Sequence, residues 1–97
     1  MHKHPTVYIL ASRRNGTLYV GMTSDLVARV DAHRRGRVDG FTRKYRVTML
    51  VYHEHHDTME AAITRGRQMK KWRRQWKLQL IEQSNPTWRD LFAEICG

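Results

Sequence analysis

Apolar and polar positions change period several times along this chain. "TVYILA", Thr6–Ala11, and "TLYVG", Thr17–Gly21, are short runs rich in β-branched and aromatic residues, and the segment between them carries Asn15-Gly16. An Asn-Gly pair between such runs is the strongest short-range signal for a β-hairpin. "TSDLVARVDAHRRG" then switches to helical spacing. Leu26, Val27 and Val30 share a face, Thr23 or Ser24 offers an N-cap, and Gly36 marks the stop. "GRVDGFTRKYR" has no period and carries two glycines and several cations, Arg43 and Lys44 among them, so it reads as a surface loop of the kind that often touches ligands.

"VTMLVYHEH" supplies a third strand, Val47 to about Glu54, whose continuous apolar start predicts a central, well-buried position. The remainder is helical: 58–72, 73–83, and a last helix in "NPTWRDLFAEI" with Asn85 as cap and Pro86 in the first helical position. The order β-β-α-β-α-α-α predicts an α/β fold, one layer of three-stranded sheet covered by helices (an α+β layer). Ninety-seven residues suit a single domain over 1–97.

Eighteen Lys and Arg against nine Asp and Glu leave a net charge of +9, which calls for a polyanionic partner. Arginine dominates, and three Trp and four Tyr accompany it, a mixture that favours nucleic acid over acidic lipid or protein. The one cysteine, Cys96, leaves no disulfide framework or thiolate cluster and points to a reducing cytoplasm. No apolar run approaches the roughly 18 residues that span a bilayer, and the N-terminus lacks the apolar core of a signal peptide.

Several residues could carry chemistry. Tyr8 and Tyr19 stand at similar heights on the two hairpin strands, so one register places both phenols on one face. Such a pair is also ordinary packing. Arg29 and His33 are neighbours one helical turn apart, able to bind a phosphate and to hydrogen-bond a nucleophile or leaving oxygen, or simply to form a solvated face. His53 and His55 share a strand face without an obvious third or fourth metal ligand, so the histidine cluster reads as a solvated strand end. "RGRQMKKWRRQWK" gathers Arg65, Arg67, Lys70, Lys71, Arg73, Arg74 and Lys77 with Trp72 and Trp76 into an electrostatic track for a phosphate backbone. With no helix-turn-helix or zinc finger to read a groove, and aromatics set among cations, single-stranded DNA is favoured over duplex. Inside the same helix, Gly66 costs roughly 1 kcal/mol relative to alanine and so calls for a packing or functional reason. Met59, Ala62, Ile63 and Met69 define the inward face, and Gly66 falls on it.

"VYIL" and "LYVG", about ten residues apart and followed by "DLVARVDAHRRG", resemble the GIY-YIG nuclease family. "KKWRRQWK" and "NPTWRDL" are similar to its small, single-domain bacterial branch. The resemblance implies a mostly antiparallel three-stranded sheet and metal-dependent hydrolysis of a DNA phosphodiester. On it, Tyr8 is the general base, Tyr19 orders nucleophile and phosphate, Gly21 closes the second motif, Arg29 holds the phosphate, and His33 matches a histidine found in many members. Basic residues of the loop and helices, with Trp72 and Asn85, fall to nucleic-acid binding. The family also uses one glutamate, on the helix after the third strand, to bind Mg²⁺ or Mn²⁺, and the alignment puts Gly66 at its position. A glycine there removes the metal ligand and predicts impaired cleavage with substrate binding retained. The change is either engineered or natural, as in a pseudoenzyme. The alternative is a nucleic-acid-binding module on the same fold that never cuts.

Overall fold

The structure, a computed structural model, describes residues 4–38 and 40–97. Strands β1 (Thr6–Ala11), β2 (Leu18–Thr23) and β3 (Met49–His55) form one sheet in the order β2-β1-β3, antiparallel at both seams. The helices are α1 (Leu26–Arg34), α2 (Phe41–Lys44), α3 (Met59–Lys71), α4 (Arg74–Ser84) and α5 (Phe92–Cys96). The sheet is therefore fully antiparallel, and its class and helical cover are those the sequence predicts.

Strand alternation sorts the apolar residues into two cores. Val7, Ile9, Val20 and Val51 meet Ala62 and Met69 of α3, Ile81 of α4 and Trp88 on one face. Tyr8, Leu10 and Leu50 meet Leu26 and Val30 of α1 on the other, where α5 packs through Phe92 and Ile95. Because helices cover both faces of β1, all six of its residues are buried.

The hairpin turn is closed by Gly16 N–H donating to Arg13 O at 2.9 Å and Ser12 N–H to Thr17 O at 3.0 Å. Asn15 takes the left-handed conformation (φ 57°), which its short polar side chain tolerates. At α1 the N-cap is Asp25, one residue beyond the predicted pair, its carboxylate accepting from Ala28 N–H at 3.2 Å. Thr23 instead accepts from Asp25 N–H at 3.0 Å. Gly36 (φ 67°) ends the helix as predicted, with Arg37 N–H donating to Ala32 O and Gly36 N–H to His33 O, the paired bonds of a Schellman stop.

Three expectations need correction. β3 is an edge strand, not the central one. It reads as central because the segment after α4 covers its free edge: Asn85 Nδ2 donates to Val51 O, Leu91 N–H to Leu50 O, and Leu50 N–H to Asp90 Oδ1. The stretch read as a plain loop contains the short helix α2; Asp39 within it lies outside the described residues. Finally, no helix starts at Pro86. Asn85 is the C-cap of α4, and Pro86 to Asp90 form an irregular crossing from one face of the sheet to the other before α5.

Candidate functional site

Tyr8 pairs with Gly21 and Leu10 with Tyr19, so alternation sets both tyrosines on the α1 face of the sheet. Their ring centroids are 6.3 Å apart. Gly21 makes this possible. A Cβ there would collide with Tyr8 Cζ and Oη and would stand 2.9 Å from Tyr19 Cε2, so only glycine lets the Tyr8 ring lie across β2.

α1 delivers the other members. Its last turn buries His33, which is 2% exposed and bridges two hydroxyls: Nε2 hydrogen-bonds Tyr8 Oη at 3.1 Å and Nδ1 hydrogen-bonds Thr42 Oγ1 at 2.9 Å. One turn earlier, Arg29 is exposed and sits where its guanidinium acts on both Tyr8 and His33. Burial pushes the Tyr8 phenol up to about 12, although hydrogen bonding and charge from Arg29 pull against it. Burial, helped by Arg29, lowers His33 to about 4, so the imidazole is neutral at pH 7. Tyr8 is 1% exposed, whereas Tyr19 is half-buried with Lys70 Nζ 5.8 Å from its ring. The arrangement leaves an exposed cation and a half-buried phenol above a buried phenol and a neutral imidazole.

Gly66 lies on the buried side of α3, and a Cβ there would stand 2.5 Å from the terminal methyl of Met22. Met22 pairs with Val7, so it belongs to the α3 face, whereas Tyr8, Gly21 and Tyr19 occupy the opposite one. Gly66 thus points at the sheet through β2, but from the other side. β2 is an edge strand, and Lys70, one turn after Gly66, reaches the Tyr19 ring around that edge.

The residues present do not fit a Mg²⁺ or Mn²⁺ site. Position 66 supplies no donor, and among the described residues no group of three or more His, Cys, Asp or Glu is placed to hold a metal ion. Asp25 is used as a helix cap, and Glu60 is exposed, ~120° round the helix from Gly66. Glu54 is committed elsewhere. Burial works against its charge, but Arg65 Nε (3.0 Å), Tyr52 O–H (2.6 Å) and His56 Nε2 (2.6 Å) outweigh that and hold the carboxyl below its usual range. His53 and His55 do share a face, with rings 5.8 Å apart, and His55 Nδ1 hydrogen-bonds Thr6 Oγ1.

The basic residues divide by partner. Arg65 is bound to Glu54 and lies 4.9 Å over the Trp72 ring, and Arg74 Nη2 donates to Asn15 O (2.7 Å) and Gly16 O (2.6 Å), tying α4 to the hairpin turn. These two serve the fold. Asn85 is another correction to the binding set: it is buried, its amide donates to Val51 O and Arg89 O, and its Oδ1 accepts from Arg89 N–H. Arg67, Lys71 and Arg73 are exposed on α3 and at the start of α4, and Arg43 and Lys44 are exposed on α2. The tryptophans split: Trp72 packs against the core, while Trp76 is 50% exposed with Arg73 5.9 Å from its ring. Thr42, which orients His33, is the member that sequence reasoning missed. It lies in a stretch without period, and only the fold brings it to position 33.

A family model described as the GIY-YIG catalytic domain matches residues 4–79 of this chain. The UPF0213 protein of Staphylococcus aureus strain Mu3 is 39% identical over 77 residues, 79% of this chain and 93% of that protein, and its counterpart from strain N315 matches to the same extent. Among solved structures, the solution NMR structure of the UPF0213 protein from Bacillus halodurans matches with a TM-score of 0.55 and 26% identity, over 90% of this chain and 92% of that one.

Proposed function

The chain belongs to the GIY-YIG family, a nuclease family, and from that premise we propose that it grips the phosphates of single-stranded DNA through Arg29 and Tyr19 while its hydrolytic step is impaired at Gly66. The observation that carries this reading is the electrostatics of the cleft. Among the described residues, the groups that shift Tyr8 and His33 electrostatically are Arg29 and Tyr19, and no carboxylate is among them. A phosphate entering such a cleft meets a guanidinium without an opposing negative charge, so binding needs no divalent ion.

Chemistry is another matter. Deprotonating a phenol whose pKa is about 12 at pH 7 costs about 7 kcal/mol. His33 can accept a proton from Tyr8 at Nε2, with Thr42 holding the other ring nitrogen, but its low basicity makes it a weak acceptor. Activating water through Tyr8 therefore calls for a further positive charge at the phosphate. The resemblance assigns that role to Mg²⁺ or Mn²⁺ held by a glutamate at position 66. Exposed Trp76, beside Trp72 and Arg73, extends the binding surface in a form suited to unstacked bases. We read residues 1–97 as one domain, and the free, exposed Cys96 suits a reducing cytoplasm.

Gly66→Glu is the test. The obstacle to a side chain is a flexible methionine methyl, which can swing aside. A labelled single strand incubated with Mn²⁺ should stay intact with the native chain and be cut by the variant. Equal cutting by both, or a folded, DNA-binding variant that never cuts, overturns the assignment. A second reading, binding through the α3–α4 cations alone, is favoured by the exposure of Arg67, Lys71 and Arg73; it predicts that Arg29→Ala leaves affinity unchanged.

A further inference from the structure

Next to the tyrosines, the same face of the sheet opens into a cavity of about 420 Å³. Its floor is Thr6, His53 and His55, its walls are Leu26 and Val27 of α1 and Ile95 of α5, and Asp25, whose carboxylate caps α1, lines it as well. Tyr8 is paired directly with His53, and Thr6 with His55, so the cavity continues the row of side chains that holds the Tyr8 phenol. Leu26 lies three residues before Arg29 on α1, ~5 Å along the helix axis. The cavity wall and the phosphate cation are thus carried by neighbouring turns of one helix.

We propose that this cavity is a nucleobase subsite, which takes one unpaired base of the strand whose phosphate is held by Arg29; the proposal rests on the single-strand reading above. Its lining is mostly apolar, with imidazole rings available for stacking and ring nitrogens for the base edge. Among the described residues neither ring nitrogen of half-buried His53 has a hydrogen-bond partner, and neither is sealed from water, so the ring is open to a ligand. Burial and the nearby His55 lower the His53 pKa against the pull of Glu94, which leaves a neutral ring able both to donate and to accept. Val27 is 40% exposed at the cavity wall, an apolar surface that a base would cover. A base in a duplex is stacked and paired and cannot enter without being flipped, so the cavity also supplies a reason for single-strand preference.

The experiment measures affinity for a labelled single strand and for a set of strands in which one nucleotide at a time is abasic, using the native chain, Val27→Trp, His53→Ala and Arg29→Ala. Val27→Trp fills the cavity from a solvent-facing helix position, and His53→Ala removes the base-edge partner without touching the core. The native chain should lose about ten-fold or more in affinity at one abasic position, and both cavity variants should erase that difference. If the native chain shows no abasic-sensitive position, or if both cavity variants keep it, the subsite is overturned. Arg29→Ala tells the two failures apart. A large loss there with no abasic effect removes only the base pocket, whereas no loss removes the phosphate reading as well.

Discussion

Gly21→Ala is a single-methyl change at the point where the site is closest packed. The added methyl would collide with Tyr8 Cζ and Oη and lie 2.9 Å from Tyr19 Cε2. Carbon contacts are comfortable from ~3.5 Å, so the Tyr8 ring would have to retreat by about 1 Å. It has little freedom to do so, being 1% exposed and tethered at Oη to His33, which Thr42 holds in turn. Overpacking of this kind costs about 1–3 kcal/mol, and losing a buried hydrogen bond adds about 1–3 kcal/mol. Since one ring movement causes both, the expected total is about 2–4 kcal/mol rather than the full sum. Urea unfolding followed by circular dichroism reads this as a lower midpoint at unchanged slope. A loss below ~0.5 kcal/mol would show that Tyr8 does not lie against Gly21, and the geometry built on that contact would fall with it.

Further outcomes follow from the same structure. His33 has a folded pKa of about 4, below its ordinary unfolded value. The unfolded chain therefore takes up a proton first as pH falls, and up to about 3 kcal/mol of stability is lost between pH 6.5 and 4. His33→Gln should flatten that part of the stability–pH curve; an unchanged slope would contradict a neutral buried His33. Glu54→Ala strands Arg65, Tyr52 and His56 and should cost about 1–3 kcal/mol in unfolding experiments with DNA affinity little changed, since the network stands apart from the cleft. Lys71→Ala should reduce the slope of log affinity against log salt by ~0.7 for a single strand, whereas Arg74→Ala should act mainly on stability by releasing the hairpin turn.

What the chain discloses in its sequence is local geometry. Asn15 gives away the hairpin because few residues tolerate its conformation, and the two-residue period of the strands carries Tyr8 and Tyr19 to one face. Three-residue steps on either side of Gly66 turn it toward the sheet. They do not say which face it meets, because periodicity defines a helix side and not the strand face opposite. Tertiary partners are equally silent. β3 reads as central because Asn85, Asp90 and Leu91 come back to cover its edge from some forty residues away. Arg65 and Arg74 count as free cations until the fold supplies Glu54 and the turn carbonyls, and Thr42 has no signal until α2 brings it beneath His33.

Arg29 and Tyr19 frame a cleft that has no carboxylate among the described residues, and the proposed function requires it to hold single-stranded DNA in the absence of a divalent ion. Fluorescence anisotropy of a labelled single strand, at one fixed salt concentration and with EDTA present, measures it directly for the native chain and for Arg29→Ala. Native binding that EDTA does not weaken and a loss of about ten-fold or more in the variant are expected. Binding that appears only with Mg²⁺ or Mn²⁺, or an Arg29→Ala isotherm that overlays the native one, would contradict it.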